Sequence, residues 1–143
     1  MCGILGILGF NDPLLAKKMA KAIEHRGPDD EGFFSDKNIE LGNRRLSIID
    51  IKGGKQPIHN EDETVWITFN GEIYNYKDLR EKLSKKHKFY TQTDTEVIVH
   101  LYEEQGIDFI KYLNGIFAFA IYDSRKKQVI LSNSLAEMQM GYH

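Results

Sequence analysis

Cys2 stands directly behind the initiator methionine. If Met1 is removed, that residue carries a thiol and a free α-amine together. An α-amine titrates at roughly 7.7–8.0, so it can serve as base toward the adjacent thiol, and no separate histidine is needed. The competing reading is a small apolar residue that opens a buried strand. Asn70-Gly71-Glu72 follows an apolar stretch. It reads as a hairpin turn, or as a pair of donors, the Asn70 side-chain amide and the Gly71 N–H, aimed at a developing oxyanion. Arg44-Arg45 offers either surface charge or a planar fork for a substrate carboxylate. Asp94 is an N-cap, or a carboxylate turned into a pocket to hold a substrate ammonium. His25, His59, His87, His100 and His143 show no metal-ligand spacing, and the lone cysteine adds none. There is no Walker loop and no G-x-G-x-x-G, so neither metal nor nucleotide chemistry finds support.

The elements around these residues follow from apolar periodicity and turn chemistry. Gly3 to Gly9 reads as a buried strand. Asp12 and Pro13 open a helix with Leu14, Leu15, Met19, Ala22 and Ile23 on one face, ended by Gly27-Pro28. Gly32 to Ser35 and Ile39 to Ile49 form a hairpin around Asp36 to Asn38, and Lys52 to Pro57 is a loop. Thr64 to Phe69 is a strand expected to stop at Asn70-Gly71. Asn75 can cap a short helix containing Leu79 and Leu83, and Phe89 to Thr91 reads as a short strand. Thr93 or Asp94 opens the clearest helix, which Gly106 ends. A shorter helix holds Phe109, Ile110 and Leu113, and a last hairpin pairs Ile116 to Tyr122 with Gln128 to Leu131. The class is α+β.

At 143 residues, 41% apolar and 28% charged, the chain can build one globular core. Its net charge of −2 argues against a nucleic-acid partner. No apolar run approaches the roughly 20 residues a membrane span needs. The opening residues lack the positive leading segment of a secretory signal, and one cysteine permits no internal disulfide. A cytoplasmic protein is expected.

In order along the chain stand Met-Cys-Gly-Ile, HRGPD at His25 to Asp29, RLSIID at Arg45 to Asp50 and Gln56-Pro57. NGEIYN at Asn70 to Asn75, D-T-E at Asp94 to Glu96 and GIFAFAIYD at Gly115 to Asp123 follow. Together they resemble the glutaminase domain of glutamine-hydrolysing asparagine synthetases, a class II glutamine amidotransferase domain of the N-terminal-nucleophile type. The resemblance implies a four-layer αββα sandwich of antiparallel sheets. It implies Cys2 as nucleophile, its own amine as base, and Asn70 with Gly71 as oxyanion hole. Arg45 would hold the carboxylate of L-glutamine, and Asp94 with Glu72 its ammonium. The backbone of Leu46, Ser47, Ile48 and Ile49 would line the pocket. No cofactor and no metal is implied.

The resemblance runs over residues 1–132, and the tail 133–143 departs from it. The R-D-x-x-G-x-K-P-L-Y-type segment of the family and its later strands are missing, so the sandwich is expected to be incomplete after residue 132. The S-G-G-x-D-S-type loop of a synthetase domain is missing as well. The expected function is release of ammonia and glutamate from glutamine through a γ-glutamyl thioester, serving asparagine biosynthesis with a separate synthetase subunit or as a homo-oligomer. The alternative is a non-catalytic fragment or subunit for glutamine binding or assembly.

Overall fold

Alternation along the strands makes two apolar faces on each of two sheets, and every face finds a partner layer. The computed structural model describes residues 2–46 and 54–134. The first sheet has β1 (Gly3–Leu8), β3 (Ile39–Arg45) and β2 (Asp30–Asp36) in that spatial order, all antiparallel. The second has β4 (Ile58–His59), β5 (Val65–Ile73), β6 (Gly115–Asp123) and β7 (Gln128–Asn133), also antiparallel. Leu5 and Ile7 pack on Ala16 and Ala20 of helix α1 (Pro13–Ala22). Ile67, Phe69, Phe119 and Ile121 pack on α2 (Tyr76–Leu83) and α3 (Asp94–Gln105). Between the sheets lie Ile39, Leu41 and Ala120, ringed by Phe34, Trp66, Tyr122 and Val129. The expected αββα order is present.

Local chemistry accounts for most boundaries. The Asp12 carboxylate accepts from Leu15 N at 2.9 Å, and Pro13 sits where its missing N–H costs nothing. The helix closes at Ala22 and a 3₁₀ turn, Glu24–Arg26, carries the chain on to Gly27. Helix α3 is buried at every position from Asp94 to Tyr102, and Gly106 at φ 59° ends it. The shorter helix expected around Phe109 is a 3₁₀ segment, Gly106–Tyr112.

Three expectations need correction. Asn70-Gly71 makes no turn: β5 runs through it to Ile73, with Asn70 opposite Ala118 and Gly71 opposite Phe117. Pairing with the long β6 outweighs the local turn preference. Phe89 to Thr91 forms no strand, because Tyr90 N and Thr91 N donate to the Glu96 carboxylate at 2.9 and 2.7 Å instead. Asn75 occupies the N-cap position without capping. Its side chain is engaged elsewhere, donating to Tyr112 O and accepting from Asn114 N. The expected extension of the third strand to Ile49, and most of the tail 133–143, lie outside the described residues. Among the described residues, no helix is long and apolar enough to cross a membrane.

Candidate active site

The antiparallel register that sets Gly3 opposite Arg44 carries Cys2 alongside the end of β3. There the Cys2 thiol meets both backbone polar groups of one residue. Its Sγ accepts from Leu46 N at 3.4 Å and donates to Leu46 O at 3.7 Å. Cys2 is half-buried and unbridged.

Strand alternation gives the two adjacent arginines different work. Arg44 turns to the HRGPD segment: Nε donates to Gly27 O at 2.9 Å, Nη1 pairs with Glu31 at 3.0 Å and Nη2 with Glu24 at 3.4 Å. Arg45, also buried, turns into a cavity of about 340 Å³. Its guanidinium passes so close to Gly54 that a Cβ there would lie 2.7 Å from Nη2 and 2.5 Å from Thr93 Cγ2. The same cavity is lined by Cys2, Leu46, Asn70, Gly71, Glu72 and Asp94.

The far wall comes from the second sheet and α3. Asn70 shares the strand face of Trp66 and Thr68, which looks toward the first sheet: Thr68 Oγ1 donates to Gly42 O at 2.9 Å. Gly71 sits at φ 149°, and a Cβ on it would meet Ile116 O at 2.2 Å. Only glycine lets β5 and β6 approach this closely while lining a cavity. Asp94 is the first residue of α3, with Thr93 in the N-cap position. Its Oδ2 accepts from Ile73 N at 2.8 Å, joining the end of β5 to the helix start. Burial raises the Asp94 pKa, and the Glu72 charge adds to the rise, while hydrogen bonds from backbone N–H groups oppose it. Two carboxylates therefore sit at the end of the cavity formed by β5 and α3.

The structure thus brings together Cys2, Arg45, Leu46, Asn70, Gly71, Glu72 and Asp94. Ser47, Ile48 and Ile49 lie outside the described residues. The residue-by-residue reading missed Gln56 as a wall. Gln56 is buried, and its Oε1 accepts from Phe69 N at 2.6 Å and from Asn43 Nδ2 at 3.4 Å. Asn43 also donates to Phe69 O at 3.3 Å, so both polar groups of that strand residue are held from the first sheet side. The pairing of Gln56 with Pro57 in the motif string was the available signal.

A family model described as a glutamine amidotransferase domain matches residues 1–136. The chain belongs to the glutamine amidotransferase domain family. Among curated relatives, asparagine synthetase [glutamine-hydrolyzing] 2 of Arabidopsis thaliana is 50% identical over 135 residues, covering 91% of this chain and 23% of the plant protein. Asparagine synthetase [glutamine-hydrolyzing] 2 of Bacillus subtilis (strain 168) is 46% identical over 138 residues, covering 92% of this chain and 18% of its own length. The chain thus spans about a quarter or less of the length of these relatives. Among solved structures, the glutamine phosphoribosylpyrophosphate amidotransferase of B. subtilis, complexed with ADP and GMP, superposes with a TM-score of 0.74 at 19% identity. The match covers 93% of this chain and 37% of that one. The N-terminal-nucleophile amidotransferase fold is the fold of this domain, and its sequence is homologous to the N-terminal part of asparagine synthetases.

Proposed function

We propose that the domain hydrolyses L-glutamine to glutamate and ammonia, with Cys2 as nucleophile once Met1 has been removed. The observation that carries this reading is one cavity with a thiol, a buried guanidinium, an Asn–Gly pair and two carboxylates on its walls. Glutamine is a zwitterion with a side-chain amide, and each wall answers one part of it. Arg45 takes the α-carboxylate as a planar fork, and Asp94 with Glu72 takes the α-ammonium. Binding at both ends fixes the direction of the side chain and brings its amide carbon to Cys2 Sγ.

The Cys2 α-amine accepts the thiol proton as the S–C bond forms. The Asn70 side-chain amide and the Gly71 N–H stabilise the oxyanion. Collapse breaks the C–N bond, the ammonium returns its proton to the leaving nitrogen, and ammonia departs. Water then attacks the γ-glutamyl thioester, giving glutamate and a restored thiol. In this reading residues 1–132 are the glutaminase unit. The ammonia passes to a synthetase domain or subunit, in keeping with relatives that are asparagine synthetases.

The test is ammonia release from glutamine by the purified chain, with the N-terminal mass measured on the same sample. Cys2→Ala should lose the release completely, and protein retaining Met1 should be silent. Ammonia release equal in Cys2→Ala and in the parent chain overturns the reading. Absence of release from protein with a free Cys2 amine leaves glutamine binding or assembly as the role.

A further inference from the structure

On the far side of α3 the fold gathers a second set of chemically capable side chains. His100 and Glu103 lie one turn apart on α3, His87 follows α2, and Glu61 follows β4. One ligand atom from each of the four lies within 4.8 Å of the other three. His87 Nδ1 is 3.1 Å from Glu61 Oε1 and 3.6 Å from Glu103 Oε2. His100 Nδ1 is 3.2 Å from Glu103 Oε2 and 3.5 Å from Glu61 Oε2. A tetrahedral zinc ion with ligands at about 2.0–2.1 Å has ligand–ligand edges of about 3.3 Å. With Glu61 Oε1 as its ligand atom, the distances 3.1, 3.6 and 3.2 Å bracket that edge, and the second Glu61 oxygen is the one turned to His100.

The outer partners point the same way. His100 Nε2 faces Glu96 Oε1 at 3.3 Å, and His87 Nε2 faces Glu104 Oε1 at 3.1 Å. Each imidazole thus turns Nδ1 inward to the shared carboxylates and Nε2 outward to a carboxylate of its own. That is the carboxylate–histidine–metal arrangement, in which the outer group fixes the tautomer and frees the inner lone pair. The inner carboxylates are oriented too: Asn60 Nδ2 donates to Glu103 Oε1 at 2.7 Å, and Lys88 N donates to Glu61 Oε1 at 2.9 Å. The two rings stack with centroids 4.6 Å apart.

We propose that Glu61, His87, His100 and Glu103 form a closed, structural site for a four-coordinate divalent ion of the zinc class, both histidines binding through Nδ1. Two carboxylate ligands balance the charge of the ion. Chain spacing conceals the site, because the ligands come from three separate places in the sequence and only His100 and Glu103 are neighbours. The ion ties α3 to the segments after α2 and β4. Through His100 and Glu96 it also supports Thr91, whose Oγ1 donates to Glu96 Oε2 at 2.6 Å and lies 2.8 Å from Thr93 Oγ1 at the start of α3.

The experiment is titration of the metal-free full chain with Zn²⁺ by calorimetry, and with Co²⁺ as a spectroscopic probe. Both are repeated in a Cys2→Ser background to remove the competing thiol. One equivalent of Zn²⁺ should bind in both backgrounds, and Co²⁺ should give the intense visible bands of tetrahedral coordination. His100 is fully buried and its replacement risks the fold, so the variants are Glu61→Gln and His87→Gln, at the rim. Each should weaken Zn²⁺ at least about 100-fold, beyond the range for loss of an outer partner, with an unchanged circular dichroism spectrum. A folded chain that binds no stoichiometric Zn²⁺ overturns the proposal. So does affinity that is unchanged in both variants.

Discussion

Arg44 and Arg45 are neighbours of one type, yet a single step along β3 separates a scaffold residue from a cavity residue. Arg44 spends its donors on Gly27 O, Glu31 and Glu24, locking the HRGPD turn to the sheet. Arg45 faces the cavity over Gly54, where a side chain would collide with it. If Arg45 binds a carboxylate as a fork, Arg45→Lys should forfeit one charge-assisted hydrogen bond, about 1.5–3 kcal/mol. KM for glutamine then rises about 10–100-fold while kcat changes little. Asn70→Ala removes a donor needed chiefly by the oxyanion, so kcat should fall about 100–1,000-fold with a small change in KM. Steady-state kinetics of the two variants checks both assignments at once. An Asn70→Ala enzyme altered only in KM contradicts the oxyanion role.

At the scale of elements, β5 shows where reading the sequence succeeds and where it stops. Its apolar residues mark the strand correctly, but Asn-Gly marks a turn that the fold does not make. Turn preference is local, whereas the nine-residue pairing of β5 with β6 is long-range. The same reason hides β4, two residues held by pairing to Ile67 and Trp66. It also explains Phe89 to Thr91, whose backbone is taken by a buried Glu96. Cys2, Arg45, Leu46, Asn70, Gly71, Glu72 and Asp94, which line the cavity, were legible as types and as an ordered string of motifs. The Gln56 wall, braced with Asn43 on Phe69, was not, because two amides holding one strand residue leave no periodic trace. The glycine at 71 is itself testable. Gly71→Ala forces a Cβ to 2.2 Å from Ile116 O at φ 149°, so it should destabilise the domain by about 1–3 kcal/mol and lower the denaturant midpoint. Gly106→Ala is the control: its φ of 59° and ψ of −145° favour glycine, but nothing lies within 4 Å, so its cost should stay at the low end of about 1–3 kcal/mol. Equal midpoints for the two variants would contradict the close approach of β5 and β6.

Across the whole molecule, the proposed hydrolysis depends on two sheets keeping their distance, since Cys2 and Arg45 stand at one and Asn70 and Gly71 in the other. Apolar contact among Leu41, Ala120 and Trp66 is non-directional, and it lets layers slide. Direction comes from polar links across the gap, among them Tyr122 OH donating to Asp36 Oδ2 at 2.7 Å, between β6 and the end of β2. That bond, with the bond from Lys37 N, lowers the Asp36 pKa. Burial and the Asp36 charge push Tyr122 up to about 12, so the phenol stays protonated through the neutral and acid range. A carboxyl with a depressed pKa in the folded state stabilises above its unfolded value and loses that contribution as pH falls through the folded value. Tyr122→Phe keeps the ring beside Phe34 and removes the donor. The variant should lose about 1 kcal/mol near neutrality, below the usual worth of a bond to a charged group because Asp36 is only half-buried and its charge is screened. The difference from the parent chain should hold down to about pH 4, near the unfolded aspartate value, and shrink as acid protonates folded Asp36. Denaturant melts of both proteins from pH 7 to pH 3 measure it, and a gap that widens in acid would show that the clamp does not depend on the Asp36 charge.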